Sequence, residues 1–265
     1  VITGPDISSN NPHPIDWPTL AASGQTFVII KAGGDQTGSD TYRNPYFPDD
    51  YQQARAAGLV VGAYHWVSNA DPTPTVAAVK ALWQPGDLPV ALDFEQAGIT
   101  HQRLHQVRAA YRMVGLATMT YTYPAFWTQM GDPSCTECAA DPLWYAAYQS
   151  KQPSAPAPWR NVTFWQYAGT SVELPGIRGL NDMSRFIGTN QQFAALCGRL
   201  EEDDVAQWWH DTDGTEWALD AVAKRRLTSP AQRADLQNVG LLSKTRRDVT
   251  TDVDRARLAQ TPEVK

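Results

Sequence analysis

The sequence predicts an α/β fold: an irregular, TIM-like barrel followed by a small α-helical module. Three observations lead there. From residue 1 to about 198, short apolar runs alternate with helix-length stretches, the pattern of β-α units whose strands pair in parallel through right-handed crossovers. Eight strand signals are present, which favours a closed barrel over an open sheet. The last three lie too close together to admit helices, so the barrel reads as about five β/α units and then strands with little between them.

The first strand is Ile2–Ser8, with Asp6 near its end. A helix starts at Asp16-Trp17-Pro18, where proline near N1 is pre-shaped for a first turn. Thr26–Ala32 is a second, continuously apolar strand running into Gly33-Gly34. Asp49–Ala57 reads as a helix stopped by Gly58, and Leu59–Trp66 as the third strand. A helix over Thr73–Trp83 leads to strand four, Pro89–Glu95. Thr100–Val114 is helical, Thr118–Thr122 is strand five, and Pro124–Met130 is a helical turn. Leu143–Tyr148 and Val162–Tyr167 are strands six and seven, and Gly179–Asp182 ends an eighth.

Strand four ends in Asp93 and Glu95. Alternation puts both on one face, their Cα atoms about 6.5 Å apart, with Phe94 on the other. Two acids at the end of a buried strand are costly unless something pairs or uses them. Asp6, Lys31, Tyr64, His65, Tyr121, Tyr145, Tyr148, Gln166 and Asp182 also stand at strand C-termini, the face on which β/α barrels build active sites. Ten Trp and ten Tyr supply flat amphipathic surfaces of the kind that meet sugar rings. Tyr64, Trp66, Tyr121, Trp144, Tyr145, Tyr148 and Trp165 are candidates for a groove, with Tyr64, Tyr121, Tyr145 and Gln166 preferred at its mouth.

The formal charge of −6 and pI of about 5.3 give no reason to expect a nucleic-acid partner. No apolar segment approaches the length of a membrane span, and Val1–Asp6 lacks the basic and apolar regions of a secretory signal. Cys135-Thr136-Glu137-Cys138 is read as a structural or incidental pair, with a small disulfide as one outcome, and Cys197 as a buried thiol. No second ligand pair is read beside the C-x-x-C, and the five His are not read as two on one helix face beside a third ligand. No metal and no cofactor are expected.

Past residue 198 the composition becomes more charged, and residues 199–265 are read as helices over Leu200–His210, Thr215–Leu227, Pro230–Leu242 and Asp248–Gln260. Asp213-Gly214 and Ser229-Pro230 bound the second of these. Trp208, Trp209 and Trp217 would anchor a module that binds cell wall or mediates homo-oligomerisation.

Six blocks now carry a resemblance: Asp6–Asn11, Phe27–Ala32, Val61–Trp66, Ala91–Glu95, Leu143–Tyr148 and Phe164–Tyr167. In this order they resemble the family 25 glycoside hydrolases, the Chalaropsis-type muramidases of bacteria and phages, over residues 1 to about 198. The resemblance implies an irregular (β/α)5β3 barrel that cleaves the β-1,4 bond between N-acetylmuramic acid and N-acetylglucosamine in peptidoglycan. It implies Glu95 as proton donor, Asp93 as its partner, and Asp6 and Asp182 as the two further acids. Three places depart from the family's pattern: Asn11, Gly33-Gly34-Asp35 in place of Thr-Glu-Gly, and Ser184 in the Asp182–Phe186 block. Residues 1–198 are thus expected to be a lytic barrel. Together with a separate C-terminal module and no visible export signal, this resembles a phage endolysin released to the wall through a holin; a secreted bacterial enzyme is the second origin considered. The other functions weighed are a peptidoglycan-binding barrel without turnover and a glycosidase for a related aminosugar polymer such as chitin. The four acids argue against the first, and Val90-Ala91-Leu92, apolar where a chitinase has acids, argues against the second.

Overall fold

A computed structural model describes residues 1–35, 42–130 and 134–199, and beyond them the strand backbone at 206–210, 216–219, 224–227 and 242–248. The chain divides into two units, Val1–Gly188 and Thr189–Lys265.

The first unit is a closed eight-stranded barrel. Its strands are β1 (Thr3–Ile7), β2 (Phe27–Gly33), β3 (Val60–Trp66), β4 (Val90–Asp93), β5 (Thr118–Thr122), β6 (Leu143–Ala146), β7 (Phe164–Leu174) and β8 (Ile177–Phe186). The first five are each followed by a helix: α1 (Trp17–Ala22), α2 (Phe47–Ala56), α3 (Thr73–Leu82), α4 (His101–Met113) and α5 (Pro124–Met130). One 3-10 turn, Cys138–Ala140, precedes β6. Strands β1 to β7 pair in parallel, and β8 closes the barrel antiparallel to both β7 and β1. A two-residue link between β7 and β8 permits only an antiparallel hairpin.

Local chemistry sets the helix starts. The Asp16 carboxylate accepts from Thr19 N at 3.1 Å ahead of α1, and Thr100 Oγ1 accepts from Arg103 N at 3.2 Å ahead of α4. Gly58 follows α2 at φ +90°, a conformation that favours glycine.

Strand alternation divides the barrel cleanly. Val28, Ile30, Val61, Ala63, Val90, Leu92, Phe94, Leu143 and Tyr145 join the apolar layer with helix residues such as Leu20, Tyr51, Val79, Leu104 and Tyr111. Their neighbours in sequence face the barrel axis, where Phe27, Phe164 and Phe186 pack edge to face. Strand identity therefore decides which residues reach the site.

The second unit begins with α6 (Asn190–Leu196), whose Thr189 and Gln192 form a reciprocal capping box. Cys197 is buried. The helices expected over 200–210 and 215–227 are not what the structure holds. Their described residues are strands: β9 (Ala206–His210), β10 (Glu216–Leu219) and β11 (Lys224–Leu227), joined with β12 (Leu242–Asp248) in a four-stranded sheet of order β11-β10-β9-β12. Trp217 stands opposite Trp209, and Glu216 opposite His210, in antiparallel register. Trp is a strand-favouring residue, which suits the strands that carry Trp208, Trp209 and Trp217. The helices expected over 230–242 and 248–260 lie outside the described residues, apart from Leu242 and Asp248, the two ends of β12.

Candidate active site

The four expected acids come together. Asp6 on β1 stands directly opposite Asp182 on β8. Asp93 closes β4, and Glu95 follows two residues later, on the same side by alternation. Asp6, Asp93 and Glu95 each feel at least one other carboxyl. Asp6 is pushed up to about 8 by burial first, then by Asp182 and Glu95, against the Gln166 hydrogen bond that lowers it. Glu95 is pushed up to about 7 by burial and by Asp182, with Lys31 pulling it down. Asp93 is held well above the usual carboxylate range by burial, with Glu95 and Asp6 adding to it. Desolvation, more than crowding, is thus the main cause at all three. Asp93 Oδ1 is buried and has no hydrogen-bond partner among the described residues.

Gln166 on β7 ties the site together. Its Nε2 donates to Asp6 Oδ2 at 2.8 Å, while its Oε1 accepts from Tyr121 at 2.9 Å and from Tyr148 at 3.0 Å. Every polar atom of this buried amide thereby serves the site. Tyr148 is 63% exposed and lies against Gly169, where a Cβ would stand 2.5 Å from its ring. Asp182 Oδ1 accepts from Thr170 Oγ1 at 2.9 Å and from Thr170 N. Thr170 holds φ +42°, a left-handed backbone that disfavours a β-branched residue. Such strain persists where the surroundings fix it, and here two bonds to Asp182 do so.

Lys31 on β2 lies among aromatic faces, 4.9 Å from the Trp66 ring centroid, 5.5 Å from Tyr64 and 5.7 Å from Tyr42. Its charge favours the ionised forms of Asp93 and Glu95, while burial lowers its own pKa. Tyr64 is held well above its ordinary range by burial, Asp6 and Asp93. It lines an open cleft of about 170 Å³ with Asp6, Ser8, Asn11, Thr170, Leu180 and Asp182.

Two expected residues lie elsewhere. His65 alternates with Tyr64 and Trp66, so it leaves the barrel on the helix side, with Nδ1 3.0 Å from Tyr111 Oη on α4. Its pKa falls to about 3, by burial first and then by nearby cations. Tyr145 likewise joins the helix-facing apolar layer, and no site acid acts on its hydroxyl. Trp144 takes the inward place, its indole 4.5 Å from the Tyr121 ring and its Nε1 donating to Ser184 Oγ at 2.9 Å. Ser184, one of the departures from the family pattern, is thus an interior acceptor. Trp165 is helix-facing, and its Nε1 donates to Ala147 O. Trp66 faces the site and donates to Gln96 Oε1 at 2.9 Å.

The residues the sequence reading missed are Tyr42, Gln96, Thr170 and Leu180. They lie in loops or in the extended β7-β8 hairpin, where periodicity gives no position. The metal reading also passed over a pair. His101 and His105 are four apart on α4, with ring centroids 6.1 Å apart. Among the described residues, one group places three ligand-type atoms within 4.8 Å of one another: His105, Cys135 and Cys138. It lies outside the barrel and includes none of the four acids.

Residues 5–177 match the glycosyl hydrolases family 25, about two-thirds of the chain. The chain belongs to glycosyl hydrolase family 25. It is 26% identical to lysozyme M1 of Streptomyces globisporus over 201 residues, 69% of this chain and 67% of that one. It is 27% identical to the autolytic lysozyme of Clostridium acetobutylicum over 186 residues, 65% of this chain and 52% of that one. The fold matches a muramidase from Acremonium alcalophilum with a TM-score of 0.61 at 26% identity, covering 75% of this chain and 99% of that one. A bacterial lysozyme from Streptomyces coelicolor matches in fold with a TM-score of 0.64 at 24% identity, covering 74% and 97%. Membership of family 25 makes the chain a glycoside hydrolase. Among its described residues, no helix is long and apolar enough to cross a membrane.

Proposed function

We propose that this family 25 hydrolase is an N-acetylmuramidase, cutting the β-1,4 bond between N-acetylmuramic acid and N-acetylglucosamine in peptidoglycan, with Glu95 as proton donor. Breaking a glycosidic bond needs a protonated acid at the leaving oxygen and negative charge near the developing oxocarbenium ion. Glu95 supplies the first: burial and Asp182 raise it to about 7, so it keeps its proton near neutral pH and releases it with modest driving force. That environment carries the proposal. Asp93, buried with one oxygen unpaired, is assigned to the substrate's acetamido N–H. Asp182, held by Thr170 at the edge of the cleft, is assigned to the developing positive charge. Asp6 links these acids to Gln166, and Tyr64, Tyr121, Tyr148 and Lys31 form the sugar-facing wall.

The barrel is of the irregular (β/α)5β3 type, and the second unit is assigned to cell-wall binding or self-association. A lytic barrel followed by a separate unit fits an endolysin that reaches the wall through a holin. The test of the activity is clearing of purified peptidoglycan by the wild type and by Glu95→Gln. A general acid contributes typically about 10²–10⁴-fold, so the variant is expected to lose that much while melting no lower than the wild type. Equal clearing rates remove Glu95 from the role.

A further inference from the structure

The group formed by His105, Cys135 and Cys138 has no part in glycoside hydrolysis, and its surroundings are unequal. Cys138 is fully buried in the apolar layer, whereas Cys135 is only partly covered. The two are disulfide-bonded, with Cα atoms 5.4 Å apart. Cys135 Sγ is 3.2 Å from His105 Nε2 and 3.2 Å from the backbone N of Cys138, while Cys138 Sγ is 4.0 Å from His105 Nε2.

The hydrogen positions on His105 follow from its other nitrogen. Nδ1 is 2.9 Å from Arg108 Nη1, and a guanidinium only donates. Nδ1 must therefore accept, and the neutral ring carries its hydrogen on Nε2, facing Cys135. A metal at that place would need the Nε2 lone pair, and metal-bound imidazoles ordinarily donate their other N–H to an acceptor. Arg108 has the opposite polarity, and it is fixed by Asp141 Oδ2 at 2.6 Å and Glu137 O at 3.0 Å. The arrangement gives Cys135 Sγ two N–H donors, His105 Nε2–H and a Cys138 N–H that it shares with the Cys135 carbonyl at 3.1 Å, and these stabilise a thiolate there and not at Cys138. The other charged or titratable groups around it are His101 on the same helix and Glu137, whose Oε2 is 3.8 Å from His105 Nδ1.

We propose that Cys135 and Cys138 form a thiol–disulfide exchange site whose reacting sulfur is Cys135 and whose partners are small thiols and disulfides. In the reducing direction, an external thiolate attacks Cys135 Sγ. The Cys135–Cys138 bond breaks, Cys138 leaves as a thiolate and takes a proton, and a mixed disulfide stands on Cys135. A second external thiolate attacks the external sulfur of that bond. The products are the small-molecule disulfide and a Cys135 thiolate held by His105 Nε2–H and Cys138 N–H. Two electrons pass from two small thiols to one protein disulfide.

The test uses the full chain with glutathione and iodoacetamide as probes. Reduced glutathione added to the native oxidised protein is expected to give a mixed disulfide that peptide mass spectrometry maps to Cys135. In the reduced protein at pH 6.5, iodoacetamide is expected to label Cys135 about three- to tenfold faster than in His105→Gln. The range allows for the weaker nucleophilicity that accompanies a more stable thiolate. Cys138→Ser, which keeps the backbone N–H, is expected to retain the fast labelling. Melting curves establish that both variants fold. The proposal is overturned by a glutathione adduct on Cys138, by a native disulfide that resists glutathione, by equal labelling rates in His105→Gln, or by loss of fast labelling in Cys138→Ser. It is overturned equally if the reduced chain takes up one zinc ion that blocks labelling, which would make the group a metal site.

Discussion

Replacing Gln166 by leucine removes the link between Asp6, Tyr121 and Tyr148, and the three contacts carry unequal weights. The bond to Asp6 is 2.8 Å long, but burial pushes Asp6 up to about 8, so near neutral pH a largely neutral pair is lost, worth about 1 kcal/mol. Tyr121 is 9% exposed, and its orphaned hydroxyl costs about 1–3 kcal/mol. Tyr148 is 63% exposed, so water replaces the amide there at little cost. The sum is about 2–4 kcal/mol, and for a domain of this size each kcal/mol moves Tm by about 2–4 °C. Calorimetry should therefore find Gln166→Leu melting some 5–15 °C lower. Peptidoglycan clearing below the variant's Tm should fall by at least about tenfold, because Asp6 and two wall tyrosines lose their common anchor. A Tm within about 2 °C of the wild type would show that the amide does not tie the site together.

Four further outcomes follow from the same geometry. A proton donor near 7 implies that clearing falls as pH rises through about 7, and Lys31→Met, which removes a charge favouring the Glu95 carboxylate, should move that limb to higher pH in a pH–rate profile. Asp6 is raised from 3.8 to about 8, so the folded state binds more protons than the unfolded one between those values and this contribution to stability is lost as pH rises; Asp6→Asn should raise Tm at pH 8 more than at pH 4, and an equal change at both would contradict the assignment. Asp141 accepts from Arg108, Arg112 and Thr118 at 2.5–2.8 Å in a buried cluster ahead of β6, so Asp141→Leu should cost about 3–5 kcal/mol in denaturant unfolding. His65 packs on Tyr111 away from the acids, so His65→Gln should lower Tm while leaving the pH–rate profile in place; a shifted profile would return His65 to the site.

The barrel was legible because β2, β3, β4 and β6 are largely apolar runs bounded by turn residues and spaced by helix-length stretches, and strand positions at the mouth follow from where each run ends. Side-chain direction was legible only where the register was counted through. Tyr64 and His65 are adjacent at one strand end and leave on opposite sides, and only the register that sets Trp66 beside Asp93 and Tyr64 beside Ala91 decides between them, which polarity alone does not. Tyr145 and Trp144 were exchanged for the same reason. Thr170 and Tyr42 were out of reach because they approach Asp182 and Lys31 respectively across the fold, from positions that periodicity does not assign. The second unit misled the reading differently: its charged, tryptophan-bearing stretches satisfy a helical pattern locally, but pair as antiparallel neighbours in sequence, with β12 added in parallel from farther along the chain. The His101–His105 spacing, four residues apart on one helix face, is by contrast readable directly from the sequence.

The most direct test is to digest purified peptidoglycan with the wild type and with Glu95→Gln and to identify the new reducing ends by mass spectrometry. Muramic-acid reducing ends from the wild type, and none above background from the variant, are the predicted result. Glucosamine reducing ends, or muramic-acid ends released equally by Glu95→Gln, would contradict the assignment of the bond or of its proton donor.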